Sequence, residues 1–410
     1  MTIASRPRGF FFHSGKWLAT MAFSLAALAG CGGGSSGPAP AATTPSPPPP
    51  SATGANAVPI VVDTGNDGSA FNTPFVSVTI CQPGTTTCQT IDHVLVDTAS
   101  FGLRLAASAA GSLALPAVSN AAGQPVGECA QFASGYAWGS VRRADIKLGG
   151  EFASNLPVQL VDDRAAGFAA VPTACSNTGA NFGVGQGANG ILGVGLFNQD
   201  CGGACGNSAA PGLYFACANG GCTGTALAVA SQVANPVPAF AVDNNGVVIT
   251  LADAPPGGTG SLAGTLTFGI GTESNNQLGS VTVYTVNSQG DFSTTYKGVA
   301  YPASFIDSGS NAIFFPDRSI PTCSGGFYCP PSTLSLSAVN TSTLGVSGTV
   351  AFTVENLRAL SVTTAAAHVG ADIGLAHSVD WGLPFFFGRT VFVAMSGAST
   401  PAGTGPYWAY

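Results

Sequence analysis

Charge is what this chain has least of. Only 8% of its 410 residues are Asp, Glu, Lys or Arg, against roughly a quarter in an ordinary soluble domain. Lys and Arg together number 12, too few for the basic footprint that nucleic acid requires. A hydrophobic share of 45% excludes the opposite extreme, a highly charged disordered chain. Residues that tolerate a long helix are diluted as well. The 56 Gly and 28 Pro make up about a fifth of the chain, and both disfavour helix interiors, so a long helical bundle is excluded. No CxxC pair occurs, and none of the four His stands at ligand spacing from a cysteine, so neither a metal nor a cofactor is expected. Past residue 30 no apolar run is long enough to cross a bilayer as a helix. What remains is a large, β-rich, weakly charged globular protein with a Ser, Thr, Asn, Gln and Gly surface, of the kind that secreted proteins carry.

Residues 1–30 contain Arg6, Arg8 and Lys16, no acidic residue, and then the apolar run from Trp17 to Gly30. That pattern is a secretory signal, too short to span. The run ends Leu28-Ala29-Gly30-Cys31, which resembles a bacterial lipobox. The resemblance implies that Cys31 becomes the diacylated N-terminus and that the protein is exported and lipid-anchored. Gly32 follows where an Asp would signal inner-membrane retention, which implies the outer membrane, on its periplasmic or surface face. Residues 31–57 are rich in Gly, Pro, Ser and Ala, lack large apolar side chains, and are expected to form a disordered tether. Removal of the signal takes three cations and no anion, leaving 9 of the 12 basic residues against 19 acidic ones, a formal charge of −10. Such a chain should not seek anionic surfaces.

Apart from Cys31 there are ten cysteines: Cys81, Cys88, Cys129, Cys175, Cys201, Cys205, Cys217, Cys222, Cys323 and Cys329. An even number in an oxidising compartment points to five disulfides. Cys81 with Cys88 and Cys323 with Cys329 can each clip one loop, whereas the four from Cys201 to Cys222 allow three pairings that spacing does not decide.

From Val58 onward the chain is a series of short apolar stretches broken by Gly, Pro, Asn and Ser: PFVSVTI, HVLVDTA, ADIKLGG, LPVQLVDD, GVVITLA, LTFGI, SVTVYTV, GTVAFTV and RTVFVAM. These are strand lengths with turn punctuation. Short Ala-rich segments at Leu105–Leu115 and Ala226–Ala234 are the helical candidates. The length is too great for one core, so two β lobes are expected, at 58–238 and 239–410.

Two distant segments carry nearly the same pattern. Val94–Phe101 reads VLVDTASF and Ser304–Phe314 reads SFIDSGSNAIF; each is an apolar strand, then Asp, a hydroxyl residue, a tiny residue and Ser. One per lobe suggests an internal duplication that brings two carboxylates together. Here the chain resembles the pepsin-like aspartic endopeptidases. Further segments fall in that family's order: Tyr136-Ala137-Trp138-Gly139-Ser140 resembles the flap, ADIKLGG its closing strand, and ANGILGVG at Ala188–Gly195 the apolar-apolar-Gly segment of the first lobe. LTFGIGTE and LGSVTVYTV lead toward Asp307, and Phe386-Phe387-Gly388 stands where the second apolar-apolar-Gly segment belongs. The chain also resembles a group of bacterial lipoproteins with the same Asp-Thr segment and no assigned activity.

The resemblance implies a mostly β, bilobal fold with a central cleft and few short helices, acting on peptides or proteins as a monomer. Asp97 and Asp307 would be the catalytic pair, one serving as base toward a water while the other, protonated, polarises the substrate carbonyl. Thr98 and Ser308 would lock the two loops together, Ser100 and Ser310 would bond the outer carboxylate oxygens, and Tyr136, with Trp138 nearby in the flap, would close over substrate. Three departures mark this chain: Ala99 replaces the usual Gly, placing a methyl group at the cleft floor, Trp138 occupies a flap position that is normally small or polar, and the span from Tyr136 to Asp145 is shorter than in typical pepsins. The competing expectation is a lipoprotein that keeps the fold and uses its cleft as a peptide or ligand groove without turnover. A third is an unrelated β-sandwich in which both Asp motifs are coincidental strand ends.

Other motifs carry less. Gly185-Gln186-Gly187-Ala188-Asn189-Gly190 has GxGxxG spacing but runs into an apolar strand without a strand-to-helix unit around it. Gly33–Gly37 has the spacing of a hydrolase elbow but lies in the tether. His93 is expected to make a surface or interlobe hydrogen bond, His368 and His377 have no motif around them, and Asp162-Asp163 reads as a solvated turn.

Overall fold

The computed structural model describes residues 54–165, 167–218, 220–362 and 364–410. The signal, Cys31 and most of the tether lie outside the described residues. At the tether's expected end the chain is already built in: the Asn56 amide donates to the Phe268 carbonyl at 2.9 Å, and Ala57 opens the first strand.

In the first half the strands are β1 (Ala57–Val62), β2 (Pro74–Cys81), β3 (Cys88–Asp97), β4 (Phe101–Ala106), β5 (Val126–Phe132), β6 (Gly135–Leu148), β7 (Glu151–Val161), β8 (Gly190–Val194), β9 (Tyr214–Ala218) and β10 (Gly221–Gly224). Two single-turn helices interrupt them, α1 (Thr173–Ser176) and α2 (Gly203–Asn207). The second half holds β11 (Gly246–Leu251), β12 (Leu262–Phe268), β13 (Val283–Thr285), β14 (Phe292–Tyr296), β15 (Val299–Ile306), β16 (Ile313–Phe314), β17 (Leu334–Thr341) and β18 (Ser347–Val354). It ends with β19 (Gly370–Ala371), β20 (Asp380–Trp381), β21 (Thr390–Ala394), β22 (Ser399–Thr400), β23 (Gly403–Thr404) and β24 (Tyr407–Ala409). The fold is therefore mostly β with few short helices, in keeping with the turn-punctuated apolar stretches and the resemblance.

One large sheet runs from β10 through β3, β2 and β1 to β12, β11, β21, β24 and β13, and a second, of seven strands, is confined to the second half. The halves are not closed off at residue 238. Strand β1 pairs along its whole length with β12, Ala57 opposite Thr267 and Val62 opposite Leu262. This exchange covers an edge that each half would otherwise leave unpaired. The core is continuous across it, from Ile60 and Val94 to Phe268 and Trp381.

Neither Ala-rich candidate is a helix. Leu105 pairs with Gly190 in the sheet and Gly111 turns with φ of 62°, while Ala226–Ala234 holds only the 3-10 turn Val229–Ser231. Helix propensity without an amphipathic face yields to sheet pairing. All ten cysteines pair: Cys81–Cys88, Cys129–Cys175, Cys201–Cys205, Cys217–Cys222 and Cys323–Cys329. The first and fourth join directly opposed residues of antiparallel strands.

Candidate active site

Each half builds its Asp loop from the same local parts. Strand β3 is buried over its last four residues, Val94–Asp97, and is flanked in parallel by β8 with Asp97 opposite Gly193. Strand β8 is in turn antiparallel to β4, so the chain leaves β3 at Asp97, turns through residues 98–100 and returns on the far side of β8. In the second half β15 ends at Ile306 and runs parallel to β20, with Ile306 opposite Trp381, and β20 is antiparallel to β16. Gly193 is required because β4 crosses it closely: a Cβ there would lie 2.6 Å from the Phe101 nitrogen.

This pairing corrects one sequence assignment. The segment that plays in the second half the part of Ile191-Leu192-Gly193 is Asp380-Trp381-Gly382, because the Asp307 N–H donates to the Trp381 carbonyl. Phe386-Phe387-Gly388 follows it, and both Phe side chains are buried in the core. An apolar-apolar-Gly template passes over the true segment because its first residue is a carboxylic acid.

The two loops are cross-bonded. The Thr98 hydroxyl donates to the Ile306 carbonyl at 3.0 Å and accepts from the Ser308 N–H at 2.9 Å. In return the Ser308 hydroxyl donates to the Val96 carbonyl at 2.7 Å and accepts from the Thr98 N–H at 3.2 Å. Both side chains are buried. They place the two carboxylates on either side of Gly309, where a Cβ would lie 3.0 Å from Asp97 Oδ1 and 3.1 Å from Asp307 Oδ1.

Each carboxylate is held in a similar way. Asp97 Oδ1 accepts the Ala99 N–H at 2.9 Å, and its Oδ2 accepts the Ser100 hydroxyl at 2.5 Å. Asp307 Oδ1 accepts the Gly309 N–H at 2.8 Å, and Ser310 Oγ lies 2.9 Å from its Oδ2. Ser310 Oγ also lies 2.7 Å from Oδ2 of Asp380, a buried residue that sequence reasoning missed. Burial foremost, then the negative charges of Asp97 and Asp380, hold the Asp307 carboxyl well above the ordinary carboxylate range. Gly309 makes the approach possible: a Cβ there would come within 3.0 Å of Asp97 Cγ. At the matching position the Ala99 methyl lines a cavity instead.

That cavity, of about 270 Å³, opens beside Ala99 and Ser100, the latter bonded to Asp97. Phe101, Phe132, Phe197 and Leu213 give it apolar walls, while Arg104 and Asp200 give it a polar floor. Arg104, buried in the middle of FGLRLA, donates to Glu128 at 2.6 Å, to Asp200 at 3.1 Å and to the Phe101 carbonyl at 2.9 Å. Burial, and after it the neighbouring Glu128 carboxylate, raise the Asp200 carboxyl well above its usual range; Arg104 and the Tyr214 hydroxyl at 2.6 Å oppose them. A lone Arg between two Leu in a chain so poor in cations was the available signal for this network.

The flap residues are placed elsewhere than expected. Strands β5 and β6 form a hairpin whose tip is Ala133-Ser134, but Tyr136 and Trp138 point to its other face. There they pack with Phe168, Phe215 and the Cys129–Cys175 disulfide, and the Trp138 indole donates to the Phe168 carbonyl at 2.8 Å. The hairpin lines the cavity with Ala130, Gln131 and Phe132, of which Phe132 is the aromatic one. Strand side chains alternate between faces, so Tyr136 and Trp138 share one fate.

Among the other motifs, Gln186 of the GxGxxG stretch donates to the Gly309 carbonyl at 3.3 Å, joining the halves rather than binding a nucleotide phosphate. His93 pairs with Asp63 at 3.3 Å and His368 with Glu355 at 3.1 Å. Asp163 is partly buried and ion-paired with Arg142 at 2.9 Å, not a solvated turn. Among the described residues no group of three His, Cys, Asp or Glu is placed to hold a metal ion.

A model of the family described as Protein of unknown function (DUF3443) matches residues 52–410. No curated protein matches the chain. Among solved structures, an aspartic proteinase from Irpex lacteus is similar over 86% of this chain and 96% of its own, at 17% identity and a TM-score of 0.49.

Proposed function

The chain belongs to the DUF3443 family of proteins of unknown function, and from the geometry of its site we propose that it is an aspartic endopeptidase. The observation that carries this reading is the pair of matched loops, which hold two carboxylates side by side through the reciprocal Thr98–Ser308 bonds. Two carboxylates so close cannot both ionise easily, and the proton they share makes one an acid and the other a base, as in pepsin. The base takes a proton from a water, which attacks the peptide carbonyl; the acid polarises that carbonyl and then serves the leaving nitrogen. The cavity beside Ala99 and Ser100 is a place for a substrate side chain with an apolar body and a polar tip.

A second reading, a binding groove without turnover, draws on the hairpin. With Tyr136 and Trp138 packed away and Ala133-Ser134 at the tip, no aromatic residue of the expected flap covers the carboxylates. One assay separates the two. The full-length chain and its Asp97→Asn and Asp307→Asn variants are compared on mixed peptides from acid to neutral pH, and the wild type should exceed both variants by at least about a hundredfold. Equal, negligible turnover by all three, with peptides still retained, favours the groove.

We place the protein at the outer membrane through a lipid on Cys31, acting on peptides or proteins as a monomer. Cys31→Ala should abolish acyl labelling and release the protein from membranes; unchanged labelling would sink the anchor.

A further inference from the structure

The two halves build matched loops around the carboxylates, but at one buried position of the flanking strand an apolar residue in the first half is replaced by a carboxylic acid in the second. In the first half the parallel register sets Asp97 opposite Gly193 and Leu95 opposite Ile191. In the second it sets Phe305 opposite Asp380, so Asp380 occupies the place of Ile191. Ile191 packs with Ala70, Phe75 and Leu95. Asp380 instead reaches the Ser310 hydroxyl, with Oδ2 at 2.7 Å, while the same hydroxyl lies 2.9 Å from Asp307 Oδ2. Trp381 fixes β20 behind it, its indole donating to the Thr294 hydroxyl at 3.2 Å and its ring packed edge-on against Phe352.

A hydroxyl has one proton to donate. With carboxyl oxygens on both sides, one contact is Ser310 donating, and the other is a hydrogen bond only if that carboxyl carries a proton and donates it to Oγ. Two ionised carboxylates would leave one of them facing a lone pair inside a partly buried site. The arrangement therefore retains one proton on Asp307 and Asp380 taken together. It can also move that proton: Asp307 passes its Oδ2 proton to Ser310 Oγ as the Ser310 proton passes to Asp380 Oδ2. Two O–H bonds break and two form, and a single negative charge moves from Asp380 to Asp307.

We propose that Asp380 is a positioning residue of the catalytic centre, which shares a proton with Asp307 through the Ser310 hydroxyl and so keeps the carboxylate pair singly protonated toward neutral pH. The proposal rests on the aspartic-peptidase reading for its catalytic consequence, though not for the proton sharing itself. The groups that act on Asp307 agree with it in direction, since Asp380 follows burial and Asp97 among the causes that raise it. The strands flanking β20 are β15 and β16, and their one titratable side chain is Tyr301, on which Asp317 and Asp372 act. The loop that meets Gly309 from the first half presents the neutral amide of Gln186.

The test is a carbon NMR titration of the Asp carboxyls in the full-length chain, beside pH profiles of kcat. In the wild type the Asp307 and Asp380 resonances should share their inflections, as coupled groups do. In Asp380→Asn, which keeps the shape of the side chain, and in Asp380→Ile, which copies the first half, Asp307 should titrate lower by about one pH unit or more. The alkaline limb of kcat should move to lower pH by the same amount. Independent single inflections in the wild type, or an Asp307 titration unmoved in folded variants, overturn the proposal. Should the wild type cleave no peptide while the carboxyl titrations are coupled and shift as expected, the peptidase reading fails and the proton sharing stands.

Discussion

Thr98 and Ser308, 210 residues apart in sequence, each use one side-chain oxygen to accept a backbone N–H of the other's loop and to donate into the strand behind it. Buried polar groups are expensive unless paired, so this reciprocal arrangement fixes the relative position of the two carboxylates more tightly than apolar packing of the same volume would.

Thr98→Val tests that lock. It keeps the shape of the side chain and removes the hydroxyl, leaving the Ile306 carbonyl and the Ser308 N–H without it. The change should cost about 2 to 4 kcal/mol in denaturant unfolding and lower kcat further than the stability loss explains. A variant with wild-type midpoint and turnover would show that the lock is dispensable.

Gly309→Ala tests the spacing of the carboxylates. Its Cβ would stand 3.0 Å from Asp97 Cγ and 3.1 Å from Asp307 Oδ1, so one carboxylate must move by a few tenths of an ångström. Turnover should fall about tenfold with little change in melting temperature. Unchanged kcat would mean that the site tolerates the displacement.

Asp307 makes stability depend on pH in a stated direction. Its folded-state pKa is raised above the ordinary 3.8, chiefly by burial, so its protonated form is favoured in the folded chain. The stability it contributes is fully present below the unfolded value and is lost as pH rises from there through the raised folded value. Asp307→Asn, neutral throughout, should therefore melt close to wild type at acid pH and above it near neutrality. The opposite order, with the variant less stable only at neutral pH, would mean that the hydrogen bonds from Gly309 and Ser310 outweigh burial.

The disulfides should rank by the chain they enclose. Cys129–Cys175 spans 46 residues and Cys201–Cys205 spans 4. On loop-closure entropy, replacing the first pair by Ala should cost about 4 kcal/mol and the second about 2. The first also closes the aromatic cluster over Tyr136 and Trp138, which adds to its cost. Equal losses in unfolding experiments would assign the effect to local packing instead.

Much was legible in the sequence because it depends on local order. Strand lengths, turn residues, the β-rich class and the two Asp-hydroxyl-small-Ser turns follow from composition and short patterns, and they located Asp97, Thr98, Ser100, Asp307, Ser308 and Ser310. Tertiary structure alone decided three things. The face of the β5–β6 hairpin toward the carboxylates was open, because a strand's two faces are distinguished only by what packs on each, and the α1 segment with its disulfide took the face of Tyr136 and Trp138. The division into lobes was blurred because β1 found its partner in β12, some 200 residues on, a long-range pairing that no local signal announces. And Asp380 was hidden because a carboxylic acid in an apolar strand breaks the template used to find it. Only the parallel register of β15 and β20 shows that it stands where the first half has Ile191, beside the Ser310 hydroxyl, which also reaches Asp307.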